Sequence, residues 1–243
     1  EGCAPAPRTG REEKRQQDSN CIMTVVLKQI QKHSGLRPLS QDLVIAQDRN
    51  TQQLLLFDND ISKKKISLPL EILESHPGLR IRTDLLDCQI DICSPELLLQ
   101  FSDNFDYQDI RQHFIRNEVV NWELGEHIYS YVITKEYAAQ ISDFRTYHHV
   151  CNDIIQRRVY PFAPDARMMG TDYVQGKYYV YKESGVKIAR SARIGHGVVF
   201  GKCTVVEDDA EINHATIGRN CVIGRGVRIQ ESHLYDDVIA EAG

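Results

Sequence analysis

Residues 196–204, His-Gly-Val-Val-Phe-Gly-Lys-Cys-Thr, have the outline of a phosphate-binding loop. Such a loop needs glycine where His196 stands and serine or threonine where Cys203 stands, so that reading is rejected. The seven cysteines form no disulfide framework. Cys88 and Cys93 lack the second pair or nearby histidine that zinc requires. Reduced, mostly buried thiols are expected, with no metal and no cofactor. Asp103-Asn104-Phe105-Asp106-Tyr107 offers two acids, an amide and two aromatics between predicted helices. It reads either as a contact loop with aromatic anchors or as a helix cap with one buried aromatic.

The elements that would hold these residues can be traced from periodicity. Ile22–Leu27, Leu43–Ala46 and Gln53–Phe57 are short apolar runs that predict three strands in a small meander. Residues 87–93 alternate and predict a strand with one buried face. Ser94-Pro95-Glu96 then opens a helix, with Ser94 as cap and Leu97-Leu98-Leu99 as the apolar face. A second helix is expected over 108–120, with Ile110, Phe114 and Val120 on one side. His127 to Thr134 reads as a strand. Tyr147 to Arg157 reads as a helix, with Val150, Ile154 and Ile155 at helical spacing. Pro161 and Pro164 mark an exit. Residues 21–165 are thus expected to form an α/β domain with one sheet. Residues 1–20 form a polar linker and 166–185 a connector.

From Val186 the period changes. Aliphatic residues recur at Ile188, Ile194, Phe200, Val206, Ile212, Ile217, Ile223, Ile229, Leu234 and Ala240, in steps of six with two of five. Two places before each stands a smaller residue: Val186, Ala192, Val198, Thr204, Ala210, Ala215, Cys221, Val227, Ser232 and Val238. Period two inside each unit sends both residues inward. Six-residue spacing would scatter them around a helix. Three short strands per coil of about 18 residues give a parallel β-helix over 186–243. Glycine follows the aliphatic site at Gly195, Gly201, Gly218 and Gly224, where turns tolerate strained dihedrals. His196, His214 and Glu231 fall on equivalent turns and should stack. A metal site or a catalytic base is conceivable there; an exposed turn column is the favoured reading.

The chain of 243 residues has a net charge of −5 and only short basic clusters, Lys63–Lys65 and Arg157-Arg158, read as solvated rims. No nucleic-acid partner is expected. No stretch approaches the roughly 20 apolar residues of a membrane span, and no signal peptide is apparent. A start at Glu1-Gly2 and an end inside the repeat suggest a segment of something longer.

A sheet domain followed by a β-helix resembles the layout of sugar-nucleotide pyrophosphorylases. Within that superfamily the chain is most similar to the epsilon subunits of eukaryotic translation initiation factor 2B. Residues 82–96, Arg-Thr-Asp-Leu-Leu-Asp-Cys-Gln-Ile-Asp-Ile-Cys-Ser-Pro-Glu, carry the resemblance, with Phe101–Gln108, Lys135–Tyr137 and Val159–Pro161. The resemblance implies the second half of a nucleotidyltransferase-like α/β domain and a left-handed β-helix. It implies that Asn104, Phe105 and Asp106 contact translation initiation factor 2. It further implies other subunits of factor 2B as partners, especially gamma, in a cytoplasmic guanine-nucleotide exchange factor that promotes GDP release. The segment itself is then no enzyme. The alternative is a Mg²⁺-dependent nucleotidyltransferase acting on a sugar phosphate. The Glu-Lys-Pro element of such enzymes should fall near 58–64, where the chain reads Asp-Asn-Asp-Ile-Ser-Lys-Lys.

Overall fold

The computed structural model describes residues 20–31, 34–39, 42–60, 65–120, 126–166, 170 and 172–241. The expected linker, apart from Asn20, and Lys63 and Lys64 lie outside the described residues. The chain divides into two compact units, Glu1–Thr146 and Tyr147–Gly243. This division falls earlier than the proline-marked exit near 165.

In the first unit β1 (Cys21–Gln29) is the centre of a three-stranded sheet. It pairs antiparallel with β5 (Leu85–Cys93) and parallel with β6 (His127–Ile133). Its near-continuous apolar run suits a strand covered on both faces. A second sheet places β2 (Val44–Asp48) between β3 (Leu54–Asp58) and β4 (Leu79–Arg82), all antiparallel. The expected meander of three strands and the expected single sheet are therefore corrected. β2 and β3 pair with each other, while β1 seeks partners far along the chain. A helix, α1 (Leu70–Ser75), precedes β4. Met23, Val25, Leu27, Ile45, Leu54, Phe57, Leu97, Phe114 and Ile128 share one core that unites both sheets.

β5 is not a regular alternating strand. Its register against β1 jumps between Val26 and Leu27, whose partners are Ile90 and Asp87. Cys88 and Gln89 bulge out, and Gln89 takes φ of 53°. Such a bulge re-aims side chains. After β5 comes α2 (Glu96–Asp103). The cap position falls on Pro95 without a side-chain hydrogen bond, while the Ser94 N–H donates to Ile22 O in the sheet. Ser94 thus continues the ladder rather than capping the helix. Of the three leucines only Leu97 is buried. The next helix opens with a π-turn over Ile110–Ile115 and continues as α3 (Arg116–Val120). The wide turn shifts the buried face to Phe114, Ile115 and Val119, leaving Ile110 and Val120 exposed.

In the second unit the solenoid begins at β8 (Tyr181–Lys182), five residues before the period becomes legible. β7 (Val174–Gln175) pairs antiparallel with β8. The strands β9 (Lys187–Ile188) to β18 (Ile239–Ala240) follow, two or three residues each. They stack as three parallel ladders: one of Arg193–Ile194, Glu211–Asn213 and Arg228–Gln230, one from β8 through Val199–Phe200 and Thr216–Ile217 to His233–Leu234, and one from β9 through Val205–Val206 and Val222–Ile223 to β18. The inward pairs make one core of Val198, Phe200, Val206, Ala210, Ile212, Ala215, Ile217, Cys221 and Ile223. The polar corner residues are satisfied by the next coil: Thr204 Oγ1 donates to Gly218 O at 2.7 Å. The Cys221 thiol donates to Tyr235 O at 3.1 Å.

Within this unit, residues 147–155 of helix α4 (Phe144–Ile155) cover the solenoid, with the Tyr147 and His148 rings against that of His233. Val180 faces the solenoid core. Its neighbour Tyr181 points the other way, is fully buried, and donates its hydroxyl to Ile155 O at 2.9 Å.

Candidate partner-binding surface

Asn104, Phe105 and Asp106 leave the C-terminus of α2 as a tight, exposed loop. The Asn104 N–H donates to Gln100 O at 2.9 Å and ends the helix. The Tyr107 N–H returns to Asn104 O at 3.1 Å, and the Gln108 N–H to Asp106 O at 3.2 Å. Asp109 then caps the π-turn, accepting from the N–H groups of Arg111 and Gln112 at 2.7 and 2.6 Å. The backbone is fastened at both ends. Phe105 nevertheless stays 90% exposed.

The two aromatics of the loop divide the roles that composition left open. Tyr107 turns inward. Its ring lies 5.8 Å from Phe101 and 5.6 Å from Phe114, and those two lie 5.4 Å apart. Its hydroxyl donates to Glu118 at 2.8 Å. Burial and then the Glu118 carboxylate push its pKa above the usual phenol value. The loop therefore has its inward, partly buried aromatic, and Phe105 is left as an apolar projection on a rigid support.

Behind the loop lies a buried ionic clamp that sequence reading missed. Arg111 donates to Asp87 through Nε at 2.6 Å and Nη2 at 3.0 Å, and to Asp91 through Nη1 at 2.6 Å. In a regular strand residues four apart lie roughly 13 Å from one another, beyond the span of one guanidinium. The bulge at Cys88-Gln89 brings both carboxylates within reach. The three side chains are 10–14% exposed. Burial raises the Asp91 pKa, and Arg111 offsets only part of that rise. The periodicity of 87–93 concealed the bulge; the paired acids were the only signal.

In the solenoid, His214 and His196 stack as expected, with the His214 N–H on His196 O at 2.8 Å. Tyr178 covers His196 at a ring distance of 4.6 Å. Among the described residues no group of three or more histidines, cysteines or acids could hold a metal ion. Among the described residues no helix is long and apolar enough to cross a membrane. Cys203 is exposed, contrary to the expectation for most thiols, while Cys88 is buried and its pKa is pushed up by that burial to about 11.

Residues 177–243 match the family described as the EIF2B subunit epsilon LbH domain. The chain is 42% identical over 190 residues to translation initiation factor eIF2B subunit epsilon of Dictyostelium discoideum, covering 78% of the chain and 27% of that relative. It is 35% identical over 227 residues to the protein of the same name from Schizosaccharomyces pombe, covering 93% of the chain and 34% of that relative. The chain is similar to a segment of the eIF2B epsilon subunits, and its residues 177–243 match their LbH domain. It spans about a third or less of the length of these epsilon relatives. The family match fixes the coil as a left-handed β-helix.

Proposed function

We propose that this segment is the scaffold and binding part of a guanine-nucleotide exchange factor for translation initiation factor 2. It presents Asn104, Phe105 and Asp106 to initiation factor 2. It docks other subunits of factor 2B, especially gamma, through its α/β unit and its solenoid, in the cytoplasm. The intact assembly promotes GDP release by binding the nucleotide-poor state of its partner more tightly than the GDP state. Such a shift can be no larger than that difference in affinity. No bond is made or broken in this segment.

The observation that carries the reading is the 90% exposure of Phe105 on a loop whose flanking residues are all fastened. Aromatic side chains held rigid in water-facing positions are typical anchors of protein interfaces. The names of the epsilon relatives supply the kind of assembly. The nucleotidyltransferase alternative gains no support from the paired acids on β5, since Arg111 engages both Asp87 and Asp91.

Phe105→Ala in the full-length protein should weaken binding to initiation factor 2 by about 2 kcal/mol, roughly thirtyfold. The circular-dichroism melt should stay unchanged. Unaltered affinity would remove the loop from the interface, and a collapsed melt would return Phe105 to a structural role. Pyrophosphate release from a nucleoside triphosphate and a sugar phosphate would favour the transferase instead.

A further inference from the structure

We infer that the outward face of one solenoid ladder, that of Arg193–Ile194, Glu211–Asn213 and Arg228–Gln230, docks a short acidic segment of a partner protein. The inference rests on the proposed docking role of the solenoid and is independent of the Asn104–Asp106 loop. The three strands are in register, so Arg193, Glu211 and Arg228 form one outward column. Gly195, Asn213 and Gln230 form a second beside it. Together they line an open groove of about 360 Å³. Glu211 is held between the arginines, with Oε1 2.9 Å from Arg193 Nη1 and Oε2 3.1 Å from Arg228 Nε. Both arginine side chains nevertheless stay 81% exposed. A Cβ on Gly195 would strike the Asn213 carboxamide, which lies across the glycine and accepts from the His196 N–H at 2.9 Å. Bonds within the ladder thus hold the groove in shape.

Hydrogen-bonding capacity selects the occupant. Glu211 supplies the groove's own carboxylate, and both its oxygens face arginines. Asn213 Oδ1 is engaged with His196. Donors are left over: the outer guanidinium N–H groups of Arg193 and Arg228, and the Asn213 Nδ2 group. None of these meets an acceptor among the described residues. Carboxylates satisfy such a set, because arginine gives them charge-assisted, often bidentate bonds. Backbone carbonyls of the same segment suit the amides of Asn213 and Gln230. The arginines stand two ladder steps apart, roughly 9.5 Å. Glu211 occupies the midpoint and repels a lone anion there, so two carboxylates on one segment fit the pair. The excess of donors ends at the corners. Glu207, Asp208, Asp209 and Glu231 are exposed there, with Arg190 and Arg225 as the cations beside them. Arg225 already faces Asp209 at 3.5 Å. A nucleic-acid strand following the groove would run onto those acids, whereas a short peptide ends before them.

The test uses the full-length protein and measures binding to the remaining subunits of factor 2B, and to purified translation initiation factor 2, across a salt series. One variant carries Arg193→Gln with Arg228→Gln. A second carries Glu211→Gln alone. The arginine pair should weaken binding of one of the two partners about tenfold at low salt and flatten its salt dependence, with an unchanged melt. Glu211→Gln removes the groove's own carboxylate and should strengthen binding of that same partner at low salt. This gain supports the inference even where the arginine pair unsettles the coil. A purely structural role would instead give losses in both variants, and that result would overturn the inference. So would a loss of affinity for a single-stranded RNA probe in the arginine pair, with both protein affinities intact. Unchanged binding and salt slope in both variants, beside weakened binding of initiation factor 2 by Phe105→Ala, would remove the groove and leave the exchange-factor reading standing. Unchanged binding by all three variants would sink both.

Discussion

Arg111 shows how much one side chain can decide. It lies two residues beyond the Asp109 cap and ties the π-turn to β5 through two carboxylates. Removing one partner of a buried ionic group strands the other charges, which costs far more than the intact group contributes. Arg111→Ala should therefore destabilise the first unit by about 3–5 kcal/mol at pH 7 in urea unfolding. The pH dependence has a definite sign. Burial already raises the Asp91 pKa, and without the guanidinium nothing offsets that rise. The variant then regains stability as pH falls through the raised folded value of Asp91, so the deficit should shrink toward pH 5. An undiminished deficit would mean that lost packing, rather than stranded charge, is the cost. The sequence marked Asp87 and Asp91 as the polar beats of a strand. It could not show that both meet one arginine, because that depends on a bulge formed against β1. The leucines of α2 carry the same lesson. Three in a row cannot all face inward on a helix, and only packing chose Leu97.

The repeat elements work by different means from those the sequence suggested. Glycines after the aliphatic sites were expected to relieve strained turns. The left-handed residues are instead found directly before the corner residues, at Gly185, Gly197, Cys203, Asp209, His214, Asn220, Gly226, Glu231 and Asp237. Gly201 and Gly218 are small because coils touch there. A Cβ on Gly201 would lie 2.5 Å from the Gly218 carbonyl carbon, and one on Gly218 2.5 Å from that of Tyr235. Gly201→Ala should destabilise the solenoid by about 3 kcal/mol, read as an earlier urea midpoint; a neutral outcome would show that the coils slide apart freely. The cover helix α4 adds a second element-scale prediction. Asn152 Nδ2 lies 2.9 Å from His148 Nε2, His148 Nδ1 2.9 Å from His233 Nε2, and His233 Nδ1 2.5 Å from Thr216 Oγ1. With the Asn152 amide donating at one end, His233 Nε2 is left to accept, and a proton added there would face another donor. Burial, then the neighbouring His148, lowers the His233 pKa below 6.5. The unfolded state therefore takes up the proton first. Stability is full above pH 6.5, falls as pH drops below that value, and levels off beneath the folded pKa. Thermal midpoints across pH 7.5 to 5 should show the fall (roughly the titration window of histidine), and His233→Gln should reduce it.

For the molecule as a whole, the second unit was legible almost residue by residue, and the first only as a set of pieces. A solenoid repeats one local rule, so each inward pair announces its neighbour in the next coil, and spacing alone gave ten strands in register. Tyr181 escaped because its side chain faces the cover helix, outside the repeating pattern. The Asn104–Asp106 loop could be named from its residues and from family resemblance. Its division into an inward Tyr107 and an outward Phe105 could not. By itself the sequence determined the coil, its period, its corner residues and the presence of short strands and helices before it, because each follows from interactions among residues near in sequence or at a fixed step. Only the tertiary structure decided that β1 pairs with β5 and β6, that residues 147–155 serve the solenoid, and that one arginine closes on two acids. Those choices are made by contacts between residues distant in the chain, and local periodicity carries no record of which distant partner a face will meet.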